Sequence, residues 1–465
     1  MIAEAWWPGA LEVAIARVWP ELPGRVTGDW NAFESAVLEE LRALEWAKIS
    51  AAAAEAAGDD GAVDLAQQAI DEAEDLLLRL FAAAPLADDR LQWHYRQTLN
   101  EERTRGRGPA GSVQYYRYLE VPVYFATNRK PSEAADKKRA GWYTGERAAG
   151  EGIRYGRAKV SVPDRHRQGR VEKPRLWRLG FNPQRRFEIL AVDALGEKGF
   201  VGDVRAALET SVGGPSIDEV IQRREHVPSA DTMDAVGVGD VLVFTHGYNV
   251  SFTDAAFRAA QLAYDLNFGG AIMLFSWPSK AALAAYFADS ATVRWATPYF
   301  AGLLDLAVRE LKAREVHAVA HSIGNQVLAG ALDRLPLEDT PLGHVIFGAP
   351  DIDKDEFLDV AERVARRARR YTMYTSSRDM ALKASGRLAS HPRAGLASGG
   401  IGAGHVDVID ASALNTGPMS HSYPLNHRAV LSDMRDLLGK GQAPPRSGIR
   451  AHTDRDGVRY WAFPP

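Results

Sequence analysis

The segment from Val316 to Leu328, VHAVAHSIGNQVL, sets a serine between small residues at the end of an apolar run. Ser322 has Ala320 two residues before it and Gly324 two after. A strand that turns sharply into a helix needs small neighbours there, which is why the nucleophile elbow reads G-x-S-x-G. Ala320 replaces the first glycine with one methyl. The turn would lift the Ser322 hydroxyl above the strand ends and aim the positive end of the following helix at it. A second pattern, FTHGYN over 244–249, also closes an apolar run. A loop in that place supplies one backbone N–H to an oxyanion hole, and the residue after the nucleophile supplies the other. That assigns the donors to Ile323 and Tyr248, with Gly247 letting the backbone turn without a Cβ clash.

A serine hydroxyl attacks only when a base takes its proton, so an acid and a histidine must follow Ser322 in chain order. Asp379 closes the run RYTMYTSSRD, and His421 lies in GPMSHSYP after the last strand pattern. Asp351 and Asp353 in GAPDID are the rivals for the acid. His405 and His427 are the rivals for the base, and His246, which precedes the nucleophile, is expected to order its loop. The aromatic stretch of FSWPS with Tyr286, Phe287, Trp295, Tyr299 and Phe300 is either a lid or acyl-pocket wall or plain helix core.

Stepping outward, the elements that must hold these residues are legible as alternating patterns. VPVYFATNRKP (121–131), YGRAKVSVP (155–163) and FEILAVDAL (187–195) read as opening strands, with 130–152 a polar surface loop and 197–225 helical. From Asp240 short apolar runs alternate with helical patterns: DVLVF, FTDAAFRAAQLAYDL, GGAIMLFSWPS, a helix over 280–313 interrupted near Pro298, then the elbow, HVIFGAP, a helix holding ERVARRARR, RYTMYT, HVDVIDAS and a terminal helix over 427–438. Such alternation predicts a mostly parallel central sheet with helices on both faces, and the elbow within it points to the α/β-hydrolase fold. Residues 1–104 read as a small all-α domain, broken at GDDG (58–61) and stopped near Pro85. The Gly- and Pro-rich 105–120 is a linker, 121–440 the catalytic domain and 441–465 a C-terminal tail.

The pieces VPVYFATNR, YGRAKVSVP, VLVFTHGYNVSF, FSWPS, AHSIGN, GAPDID, YTSSRDMALKAS, VDVIDAS and SHSY together resemble the bacterial α/β-hydrolases catalogued as domain of unknown function 900. The resemblance runs from about Val121 to Leu438. It implies a hydrolase with its triad on Ser322, Asp379 and His421. Ala320 departs from the commoner glycine, and the first hundred residues have no counterpart.

Composition sets the remaining bounds. The 465 residues carry a net charge of -4, with 56 basic against 60 acidic side chains, so nothing draws nucleic acid electrostatically. The densest basic run, RVARRARR, is expected on a solvated helix face. The chain has no cysteine, which excludes disulfides and thiolate chemistry. No H-E-x-x-H or P-loop pattern occurs, so neither metal nor other cofactor is expected. No secretory signal or apolar span is evident, which makes the cytoplasm the expected location. The expected activity is cleavage of carboxylic esters, lipid esters among them, through an acyl-enzyme. The alternatives are a thioesterase, amidase or acyltransferase on the same triad, or an effector whose N-terminal helices recruit a protein partner.

Overall fold

The computed structural model describes residues 50, 62, 113–114, 118–133, 142–163, 166–173, 186–212, 235–280, 286–335, 342–397, 399–414, 420–446 and 448–464. The helices expected over 1–104, apart from two isolated positions, and residues 105–112 of the expected linker therefore fall outside the described residues, whereas 113–114 and 118–120, read as linker, are strand. The chain divides into two units, Met1–Thr104 and Arg105–Pro465.

In the second unit, the strands are β1 (Val113–Gln114), β2 (Tyr118–Thr127), β3 (Arg129–Pro131), β4 (Tyr143–Arg147), β5 (Arg154–Pro163) and β6 (Glu188–Leu195), followed by helix α1 (Glu197–Val212). Then come β7 (Val241–Thr245), α2 (Phe252–Asp265), β8 (Ala271–Ser276), α3 (Tyr286–Glu310), β9 (Val316–His321), α4 (Gly324–Arg334), β10 (Leu342–Gly348), α5 (Lys354–Val364), β11 (Ala368–Thr375) and α6 (Met380–Ala389). The chain ends with β12 (Val406–Asp410), α7 (Tyr423–Asn426), α8 (Arg428–Lys440), β13 (Arg450–Thr453) and β14 (Arg459–Ala462).

Among the described residues a 12-stranded sheet runs in the order β13-β14-β12-β11-β10-β9-β7-β8-β2-β5-β6, with β1 beside β2. From β14 to β2 every neighbouring pair is parallel, and β5 and β6 extend the edge antiparallel. A parallel sheet must be covered on both faces, and the side chains alternate accordingly. Val241 and Val243 of β7, Met273 and Phe275 of β8 and Ala318 and Ala320 of β9 face a core closed by α1, α3, α4 and α5. Leu242 and Phe244, Ile272 and Leu274, and Val319 face the opposite core, closed by α2 and α8.

Several elements differ from the sequence reading. Residues 130–152 contain a small antiparallel pair, β3 with β4, rather than only loop. Helix α3 continues through Pro298. Proline removes one N–H from the helix, a loss that packing on the sheet evidently outweighs: Val293, Phe300 and Leu304 are buried on either side of it. The basic run does not form one helix face. Its helix ends at Val364, Arg366 and Arg367 lie in the turn that follows, and the last two arginines belong to β11, where Arg369 pairs with Glu315 and Arg370 with Asp407. Residues 450–462 extend the sheet as β13 and β14 instead of trailing as a tail, with Ile409 paired to Trp461.

Strand order fixes where a site can form. β7 lies between β8 and β9, so the chain leaves β7 toward one side and later returns to the other. Crossovers diverge at such a switch point, opening a crevice at the carboxyl ends of the strands. His246–Asn249 follow β7 and Ser322 follows β9, so both loops open there.

One wall of this crevice, residues 166–173, is stapled to α2. His166 is fully buried, with Nδ1 2.8 Å from Glu172 Oε2 and Nε2 2.9 Å from Asp265 Oδ1. The Gly169 amide donates to Asp265 Oδ2 at 2.7 Å. Burial opposes a charged imidazole, but the hydrogen bonds to Asp265 and Glu172 outweigh it and raise the pKa to about 9. Because the folded pKa lies above the ordinary value, this ion triad contributes fully below about pH 6.5 and is lost as pH rises through about 9. His166→Ala should therefore lower the unfolding free energy read from urea titration most near pH 6, by at most about 3 kcal/mol, with the gap to wild type narrowing toward about pH 10. A gap that does not change with pH would contradict the charged triad.

Candidate active site

The backbone at Ser322 is the first thing the elbow must solve. Its φ is 56°, in the left-handed region that side chains with a Cβ seldom adopt. Such a residue costs roughly 1–2 kcal/mol, so its neighbours must fix it. The Ser322 amide donates to Gly348 O at 3.0 Å, tying the turn to the end of β10. Asn325 Nδ2 bridges Ser322 O at 2.8 Å and Gly348 O at 3.0 Å, and the Asp351 amide donates to Ser322 O at 3.2 Å.

Close approach explains the small residues. A Cβ on Gly324 would stand 2.3 Å from His246 O, and one on Gly247 would stand 2.8 Å from Ser322 Cβ. The two loops thus press together, and only glycine fits on either side. Ala320 is fully buried, and its methyl is accommodated in the core.

His421 and Asp379 meet. Nδ1 of His421 is 2.7 Å from Asp379 Oδ2, and because a carboxylate only accepts, Nδ1 carries the proton. Asp379 is N-cap of α6, and its Oδ1 accepts the amides of Ala381 at 3.0 Å and Leu382 at 3.1 Å. Burial works against its ionised form, but the hydrogen bond and charge of His421, aided by the Leu382 amide, hold its pKa below the ordinary carboxylate value. Both carboxylate oxygens are therefore committed, which fixes the plane of the imidazole. Ser322 and His421 open together on a cavity of about 500 Å³, also lined by Gly247, Tyr248 and His321. Ile323 is N-cap of α4, so its amide stands at the positive end of that helix.

The rivals have other work. Asp351 accepts from Ser385 Oγ at 2.6 Å and pairs with Arg393 Nε at 3.1 Å. Asp353 caps α5 and His427 caps α8. His405 meets Tyr371 edge-on. His246 is buried and stacks on Trp277 with 5.0 Å between ring centres. Its Nδ1 donates to Gly247 O at 2.9 Å, so Nε2 is the bare nitrogen and accepts from Arg129 at 3.2 Å. Burial and the Arg129 charge drive its pKa well below the ordinary value, which keeps it neutral. It orders the loop, as its place in the chain suggests. The aromatic stretch is core where its side chains are described: Phe300 is buried in the cluster under the sheet, Trp295 and Tyr299 pack against that cluster, and none of the three lines the cavity.

Two side chains with a clear part in the site escaped the sequence reading. Arg129 is fully buried and donates to Ser276 Oγ at 2.8 Å, Val250 O at 2.8 Å, and Ser279 O and Thr144 O at 3.2 Å each. Burial lowers its pKa to about 9 despite the charges of Asp289 and Asp254. It pins both ends of the loop after β7 to the exit of β8. The signal was a lone arginine directly after a long apolar strand. His321, next to the nucleophile, donates from Nε2 to His421 O at 3.1 Å and so fixes the base from its backbone side. Burial and the His421 charge lower its pKa to about 3.

Among the described residues, Glu315, His317 and His344 have spacing that could hold a metal ion. They lie at the starts of β9 and β10, the opposite end of the strands from Ser322. His317 Nδ1 already accepts the His344 amide at 3.0 Å and Nε2 faces Asp240 Oδ2 at 3.3 Å, so its ring has no nitrogen to spare.

Residues 229–431 match the model of a family described as alpha/beta hydrolase of unknown function (DUF900), a shorter span than the sequence resemblance from Val121 to Leu438. No curated protein and no solved structure matches the chain. The segment that carries Ser322, Asp379 and His421 is thus the part of the chain that matches the alpha/beta hydrolases of that family.

Proposed function

We propose that the chain is a serine hydrolase that cleaves carboxylic esters, lipid esters among them, through an acyl-enzyme on Ser322. The observation that carries this reading is the 2.7 Å contact between His421 and Asp379 beside a cavity that Ser322 shares. Asp379 holds the Nδ1–H tautomer, which leaves Nε2 as the basic nitrogen. His421 Nε2 takes the Ser322 proton as Oγ attacks the acyl carbonyl. The amides of Ile323 and Tyr248 donate to the oxyanion, and Gly247 lets the second loop approach. The tetrahedral intermediate collapses, and His421 returns the proton to the departing alcohol. Water then repeats the cycle: His421 takes its proton, hydroxide adds to the acyl carbonyl, and Ser322 leaves with the proton from His421. Every step uses groups of this chain and water.

Deleting the nucleophile or misaligning the base should act on turnover rather than binding. On p-nitrophenyl butyrate, Ser322→Ala should lower kcat by roughly 10⁴-fold or more, and Asp379→Asn, which favours the wrong tautomer, by roughly 10³- to 10⁴-fold. Wild-type rates in a Ser322→Ala protein with an unchanged circular dichroism spectrum would end the reading. Gly324→Ala should lower kcat by roughly 100-fold, because the new methyl displaces the His246 carbonyl and with it the oxyanion loop. An unchanged kcat in that variant would show that the loop's approach to the elbow is not needed.

A further inference from the structure

The cavity beside Ser322 contains a cation with unfilled hydrogen-bonding capacity. Arg258, on α2, lines it together with Val171, Lys173, Leu382 and Leu425. Its guanidinium is oriented through one nitrogen: NH1 donates to Gln261 Oε1 at 2.8 Å and, more weakly, to Gly169 O at 3.5 Å. Among the described residues its other two nitrogens have no partner and it forms no ion pair.

The carboxylates near enough to feel its charge are Asp254 and Asp265. Both are satisfied elsewhere. Asp265 binds His166, Gln261 and the Gly169 amide. Asp254 binds Lys173 and Ser251. Lys173 is thereby ion-paired, whereas no carboxylate hydrogen-bonds the Arg258 guanidinium among the described residues. Burial lowers the Arg258 pKa, the expected cost of holding a cation away from bulk water, while the charges of Asp265 and Asp254 oppose that shift. Gln261 is itself fully buried and held by Leu425 O at 3.1 Å, so the guanidinium is set in place before any ligand arrives. A planar fork with free donors in a largely apolar cavity suits a carboxylate or phosphate oxygen.

We propose that Arg258 is the specificity anchor of this site, and that the preferred esters carry an anionic group, carboxylate or phosphate, remote from the scissile bond. This rests on the serine-hydrolase reading above. Apolar wall residues would hold the chain between the two ends, and Arg258 would hold the anion.

The test compares two matched pairs on the full chain: mono-p-nitrophenyl glutarate against p-nitrophenyl valerate, and 1-butyryl-glycerol phosphate against 1-butyrylglycerol. In wild type at least one anionic ester should exceed its neutral partner in kcat/KM by roughly tenfold or more, and the pair that responds tells carboxylate from phosphate. Arg258→Gln should cut that anionic-to-neutral ratio by roughly 10- to 100-fold, mainly through KM, and Arg258→Lys should restore part of it. A purely structural arginine would lower both members of a pair together and leave the ratio unchanged, which would overturn the proposal. Equal hydrolysis of both members of each pair by wild type would overturn it too. Failure to hydrolyse any of the four esters would instead remove the ester-hydrolase reading on which the anchor depends.

Discussion

The site depends on a single backbone conformation. Ser322 is held with φ at 56° at the point where β9 becomes α4, and nothing about serine favours that state. It persists because the surroundings over-determine it. Asn325 and Gly348 grip its backbone, Gly324 allows the His246 carbonyl to pass, and Gly247 allows the loop after β7 to touch the serine. Local strain at such a place, secured from several sides, aims a hydroxyl and the amides of a helix start at one point.

A second layer keeps charge where the chemistry needs it. His246 and His321 flank the elbow, and burial keeps both neutral. Each uses its N–H to hold a carbonyl, His246 that of Gly247 and His321 that of His421. His421, held through Nδ1 by Asp379, opens on the cavity beside Ser322. Arg129 supplies the opposite kind of order: a buried cation bound mainly to carbonyls and hydroxyls, fixing the loop after β7 without offering a proton at neutral pH.

Much of this was legible in the residues. The runs from Val241 to Thr245 and from Val316 to His321 are apolar throughout or nearly so, and a strand buried on both faces permits little else. The elbow was readable because its steric demands fall on neighbours close in sequence. Asp379 and His421 were expected together from chain order, and across 42 residues the fold brings them within 2.7 Å. The less visible parts are those that long-range packing decides. Arg129 reaches the loop after β7 across more than a hundred residues, and no local pattern announces it. Pro298 suggested a broken helix because propensity ignores the tertiary packing that carries α3 through it. The tail strand β14 has one buried aromatic, Trp461, and its place beside β12 is set by the sheet edge it completes.

The site of a covalent adduct tests the role of Ser322 most directly. Treated with a fluorophosphonate and digested, the protein should yield one phosphonylated peptide, modified at Ser322 in the sequence AHSIGN, with no adduct once the protein is unfolded in urea before treatment. An adduct on another residue, or equal labelling of the folded and unfolded chain, would contradict the claim that the left-handed turn at Ser322 creates the nucleophile.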